Sequence, residues 1–487
     1  MNRLSYQART HAVVGLLVAI TLLKGVLWSA TVPFGQAPDE FSHYSMIQFI
    51  AEFGRLPEAG EIYMSDELVA VVGKTGTGRL VFHQENQQAF AEGTVGPNEL
   101  EIRGLDPALR HTFETRREST AHFVPPLYHA LAALGYRLSY HQDLLSRLFA
   151  ARLVSVLLTA GLVIVAYALA REVFPNNPPM WVTMATVVSF QPMVTFLGSV
   201  ANSDILLFLL FGLATWLIVR ALRCGLDWRI AAALGIIVGL GILTKPTLLT
   251  CGLGIAILFL VELARRRRQW RRILGMAVAL VVLALLVSGW FMLRSHRIQG
   301  SPLYEPAVSN PTIRANITPR PDLSVTEYWS EIYYPALRQF TFNSYWGDFG
   351  WVDTPMPGGV YDVLHWACNL ALIGLGVSTA LALRRRPVPW SRLLLFFTLA
   401  VLSVSALPPV FLRGYTVARD TGFLYSSLQG RYQLTGWLAQ ATLLTAGLIG
   451  LFPTRLRPLA HFLLRAGIVA LNAYALFSVV IPRYYVP

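Results

Sequence analysis

The stretch RRRRQWRRILGMAVALVVLALLVSGWFML, residues 265–293, sets six arginines directly before 21 residues that carry no charge. As a helix the apolar part would be roughly 30 Å long, the thickness of a hydrocarbon core. The arginines mark its cytoplasmic end, because basic residues flanking a span are retained inside. A second apolar run, HAVVGLLVAITLLKGVLWSATV over 11–32, is too long for the core of a signal peptide and shows no cleavage pattern, so it is expected to persist as a helix.

The rest of the composition agrees. Of 487 residues, 54% are hydrophobic and 14% are charged, against roughly a quarter charged in soluble domains. The net charge of +13 sits between apolar runs, at 265–272 and at Arg384–Arg386. It therefore reads as membrane orientation and contact with anionic lipid, and no nucleic-acid partner is implied. Cys224, Cys251 and Cys368 lie in or beside apolar runs without CxxC spacing, which excludes a disulfide framework and a zinc knuckle.

Apolar runs place spans near 11–32, 150–170, 180–198, 203–220, 228–244, 246–263, 273–294, 361–383, 390–411, 432–452 and 462–482. The fold class is thus an all-α polytopic membrane protein of about eleven helices. A twelfth candidate, PPLYHALAALGYRLSY from Pro125, is decided by parity. Counting it as a crossing would put the arginines of 265–272 outside, so it is expected to lie in the interface. With the N-terminus inside, residues 1–487 form one transmembrane domain. Its large extracytoplasmic segments are 33–147 (expected to carry interfacial helices), 295–360 and 412–431, so a reactive site would face outward.

PFGQAPDEFSHY, from Pro33, follows the first span. Pro38 suits a first helical position, and Asp39 and Glu40 then offset the helix dipole in the first turn. Their place at the outer surface also suits a general base, and His43 shares their helix face at spacings of four and three. Lys245, between two apolar runs and followed by Pro246, either snorkels or binds an anion. Asp204 stands at another outer turn, and Arg431 begins an outer span start beside Tyr432. Arg147 and Arg152, at the outer start of the second span, call for an anionic partner, which a phosphate would satisfy through a bidentate fork. The aromatic run around Phe340, Phe342, Tyr345, Trp346, Phe349 and Trp351 reads either as an interfacial belt or as a stacking surface for a sugar or prenyl chain.

Other patterns carry less. VVGKTGTGRL resembles a phosphate-binding loop, but Leu68 stands where its first glycine is required. His83, His111, His122, His129 and His141 lack metal-site spacing, so a divalent metal is possible but unsupported, and no cofactor is specified. Asn316 opens a glycosylation sequon.

Taken in order, PDEFSHY, VPPLYHAL, RLFAARLVSVLL, VANSDILLF, LTKPTLL, SYWGDFGW and QGRYQL resemble bacterial GT-C-type membrane glycosyltransferases. The likeness is nearest to a group of predicted polytopic proteins with PDExxH and GRY signatures. It is more distant to protein O-mannosyltransferases and lipid A aminoarabinose transferases. Phe41 departs from the proline or small residue common after PDE in that group. The resemblance implies a GT-C-like bundle in a bacterial inner membrane, taking a polyprenyl-phosphate sugar as partner. Asp39 or Glu40 would serve as base and Lys245 would contact the donor phosphate, with Arg431 and Arg147 as further cations. Asp204, His43 and Tyr128 of the PPLY segment would form the second acid and acceptor pocket. A lipid-linked-glycan flippase or a non-catalytic part of an envelope-polysaccharide machine is the alternative.

Overall fold

The computed structural model describes residues 3–58, 61, 63–74, 95–117, 119, 124–303, 318–424 and 426–486; His83, His122 and Asn316 lie outside them. Eight helices among these residues are long and apolar enough to cross a membrane: Thr10–Thr31, Leu144–Val173, Asp204–Cys224, Pro246–Arg265, Arg267–Ile298, Gly358–Arg384, Trp390–Thr421 and Thr454–Tyr485. The other three spans read from the sequence fall on shorter helices, so length and composition do not establish eleven. They are Pro178–Phe190, Trp228–Ile242 and Trp437–Gly450. Local chemistry shortens each of them. Gln191–Pro192 interrupts the first, and a second helix, Pro192–Leu197, continues after the break. Lys245–Pro246 ends the next, and GRYQLTG tightens into a 3-10 turn, Gly430–Gly436, before the last.

The interior is built on Leu144–Val173 and Asp204–Cys224, which pack against each other and are the most enclosed of the eight. Leu144–Val173 also receives the first helix, Arg3–Thr31, and the short helix Leu127–Leu138. Asp143 caps it by accepting from the Ser146 amide at 3.1 Å. Gly358–Arg384 packs on Trp437–Gly450 and is exposed along most of its length, as a lipid-facing helix is.

Leu127–Leu138 has 12 residues, about 18 Å, too short to cross a hydrocarbon core. It packs with Glu40–Phe53, and Asp66–Lys74, Val95–Arg103 and the 3-10 helix Pro107–His111 are the other helices described in the first inter-span segment. In the third such segment, helix Leu407–Thr421 covers the first half of 412–431, because Pro408 and Pro409 start a new helix after the break at Ser405. The aromatic run forms helical turns to Trp346, then a two-stranded antiparallel sheet pairing Asp348 with Pro355 and Phe349 with Thr354.

The start of the second helix differs from expectation. It begins at Glu40, two residues after Pro38, and Asp39 is its N-cap in the left-handed region (φ 63°) without capping through its side chain. Asp tolerates that conformation better than most residues. Its carboxylate is engaged elsewhere.

Candidate active site

Four segments far apart in sequence meet at one end of the bundle. Asp39 Oδ2 accepts a hydrogen bond from Arg431 Nη2 at 2.6 Å, and Asp204 Oδ1 accepts from Lys245 Nζ at 2.5 Å. Tyr432 joins the two ion pairs, because the Lys245 ammonium and the Arg431 guanidinium each lie 5.2 Å from its ring centre. Asp204 and Arg431 are buried, Lys245 is a quarter exposed, and the Asp39 side chain is half exposed. Asp39 is thus the acid of the cluster that a ligand can reach.

Each side chain is held by a specific local device. Asn202 Oδ1 accepts from the Asp204 amide at 2.8 Å, starting the helix there. The Leu127 amide donates to Leu243 O at 2.9 Å, tying PPLY to the LTKP turn. Gly430 lets Arg431 in: a Cβ there would stand 2.2 Å from the Tyr345 amide and 2.3 Å from Thr341 O. The Gly430 amide donates to Ser344 Oγ at 2.8 Å, so the aromatic run positions the GRY turn. Trp346 and Phe349 are buried in the core, whereas Phe340 is exposed. Trp351 donates to Gly35 O at 2.9 Å and packs on Phe41, closing the PDE turn from above.

Glu40 is in a different environment from its neighbour. It is fully buried, and Arg152 grips it with Nε and Nη2 at 2.7 and 2.6 Å. The amides of Ala201 and Gly35 donate to the same carboxylate at 3.0 and 3.2 Å. Arg152 also donates to Ser29 O and Val32 O, at the end of the first span. This pair staples the first span, the PDE turn, the second span and the VANS turn together. Arg147 is not brought to the cluster. It is buried against Glu67 at 2.5 Å and against the Tyr136 hydroxyl, in a network that includes Gln48 and Glu52.

His43 lies beside Asp39, its Nδ1 2.9 Å from His129 Nε2 and the rings stacked at 5.2 Å. His129 Nδ1 faces Pro125 O at 3.2 Å, which can only accept, so His129 donates there. Its Nε2 then accepts from His43, leaving His43 Nε2 an acceptor. Burial lowers the His43 pKa to about 4 against the pull of Asp39 and Asp204, so the ring is neutral at pH 7. Tyr128 forms a wall: it is fully buried, its hydroxyl is 2.7 Å from Ser155 Oγ, and burial raises its pKa. Burial would also raise Asp39, but Arg431, followed by His43 and Lys245, holds it below the usual carboxylate value.

The sequence motifs did not single out Tyr432 as more than an interfacial anchor, nor His129 as the partner of His43. Their adjacency to Arg431 and Tyr128 was the available signal. Among the described residues no group of three or more His, Cys, Asp or Glu side chains is arranged to hold a metal.

No curated protein matches the chain. Over 97% of its length it aligns with 55% of the oligosaccharyltransferase of Archaeoglobus fulgidus in the apo form, at a TM-score of 0.50 and 12% identity, so it spans about half of that chain. ArnT from Cupriavidus metallidurans bound to undecaprenyl phosphate aligns over 95% of this chain and 70% of its own, at a TM-score of 0.45 and 13% identity. The likeness is one of fold, and it is the GT-C-like membrane bundle that the motifs imply. The model of the family described as "Predicted membrane protein (DUF2142)" matches residues 22–435, and the chain belongs to that family.

Proposed function

We propose that the chain is a GT-C-type glycosyltransferase of a bacterial inner membrane. It moves a sugar from a polyprenyl-phosphate donor to an acceptor hydroxyl on the extracytoplasmic side. The observation that carries this reading is the pair of acid–cation contacts, Asp39–Arg431 and Asp204–Lys245, meeting across Tyr432. Cleaving an anomeric carbon–phosphate bond builds oxocarbenium-like charge on the sugar and negative charge on the departing phosphate. It requires a carboxylate to take the acceptor proton and fixed cations to hold the phosphate. Phosphate leaves without a general acid, and a single displacement inverts the anomeric centre.

In this assignment Asp39 is the base, because it is the accessible acid, and Lys245 and Arg431 hold the phosphate. Glu40 and Arg147 are structural. Asp204 orients Lys245, and His43 Nε2 accepts from the acceptor hydroxyl or an ordered water.

The test is genetic and chemical. Deleting the gene should produce a mass shift in a surface glycan or lipid, and the wild-type gene should reverse it while Asp39→Asn, at equal membrane abundance, should not. Full reversal by Asp39→Asn would remove Asp39 from the chemistry, and an unchanged surface after deletion would sink the transferase.

A further inference from the structure

A base that is already bound to an arginine is a poor base. The Asp39 carboxylate, the accessible acid of the cluster, accepts a hydrogen bond from Arg431 Nη2 at 2.6 Å. That contact lowers its proton affinity when it should be taking a proton from a hydroxyl. The cations are committed in the same way: Lys245 is held by Asp204, and Arg431 by Asp39. The cluster is therefore self-neutralised, two acids against two cations.

It is nevertheless incompletely satisfied. Arg431 is more than nine-tenths buried, yet its Nε has no hydrogen-bond partner among the described residues, and Asp204 Oδ2 is likewise buried without one among them. A guanidinium with a free Nε is a half-used fork, and a tetrahedral phosphate matches that fork better than one carboxylate oxygen does. The pair is also the more open of the two, since Asp39 is half exposed whereas Asp204 is closed in. An entering anion would therefore exchange with Asp39 more readily than with Asp204.

Resting on the transferase reading above, we propose that Arg431 acts twice: it masks Asp39 while the site is empty, then passes to the donor phosphate and so releases Asp39 as base. Donor binding precedes productive acceptor binding as a result. In the transfer step the acceptor oxygen bonds to the anomeric carbon, and the bond from that carbon to the phosphate oxygen breaks. Its electron pair stays on the phosphate, opposite Arg431 and Lys245. The hydroxyl proton moves to Asp39, which yields it to water once the products leave and re-forms the contact with Arg431.

The exchange makes the base a competitor of the donor, which gives a test that activity alone does not. Full-length protein in lipid nanodiscs would be titrated with a polyprenyl monophosphate at neutral pH. Asp39→Asn should bind it roughly three- to tenfold more tightly than wild type, although it transfers no sugar. Asp39→Gly should do the same; Asn and Gly both tolerate the φ of 63° at this position, so either variant can fold. Arg431→Gln should bind more weakly, and adding Asp39→Asn to it should bring no further gain. Unchanged or weaker binding by both Asp39 variants would overturn the exchange while leaving the transferase reading intact. An equal gain with Arg431 absent would also overturn it, because the effect would then be general charge repulsion. No binding by wild type or any variant would overturn the donor assignment and this inference together.

Discussion

Asp39 and Glu40 are neighbours with equal chemistry and opposite environments. Glu40 is sealed beneath a guanidinium fork and two backbone amides, while Asp39 opens toward the cluster. Breaking a buried pair leaves an uncompensated charge, so Glu40→Ala should cost about 3–5 kcal/mol, read by thermal or denaturant unfolding in detergent. Asp39→Asn should change stability little, because its side chain is half exposed. Asp348 supplies a pH dependence. Burial, and then the charge of Asp353, raises its pKa to about 7. Between the ordinary carboxylate value and pH 7 the folded chain holds a proton that the unfolded chain has lost. This contribution is present at low pH and disappears as pH rises through 7. Asp348→Asn should therefore reduce the fall in melting temperature between pH 5 and pH 8, and an unchanged slope would remove Asp348 as its source.

At the scale of elements, the site depends on where helices stop. Pro246 and Pro192 follow helix ends inside the bundle and the GRY turn delays the start of one, and the turns released there supply Lys245 and Arg431. The break at Pro192 leaves carbonyls that need a donor. Lys24 of the first span supplies one, reaching Ser189 O and, at 2.8 Å, Thr195 Oγ1, with Phe190 beneath it. Gly430 is the tightest of these joints. Gly430→Ala would drive a methyl group into the Tyr345 and Thr341 backbone, displacing the turn that carries Arg431. A loss of about 1–3 kcal/mol is expected, together with activity, whereas Gly376→Ala, whose Cβ meets open space, should be silent in the same unfolding assay.

Across the whole molecule, the proposed orientation puts Cys224 and the Asp39 cluster at opposite ends. Cys224 is the exposed cysteine, near the basic residues Arg220–Arg229. A membrane-impermeant maleimide should leave it unlabelled in intact spheroplasts and label it after permeabilisation; labelling of intact spheroplasts would invert the topology. Much of the architecture was legible because it is local. Span length requires only hydropathy, which acts along the chain. The number of crossings was less legible, since 3-10 turns and helix breaks shorten three spans in ways a hydropathy window does not register. Asp39, Asp204, Lys245 and Arg431 were each visible as ionisable residues at span ends, where charge needs a reason. Their pairing was not, because Asp39 and Arg431 are separated by nearly the whole chain and only packing brings them to 2.6 Å. The sequence by itself determined a polytopic helical membrane chain and the ionisable residues at its span ends. Tertiary structure decided which acid is exposed, which arginine is locked against a buried acid and which cation holds Asp39, because burial and partner choice are properties of the assembled bundle.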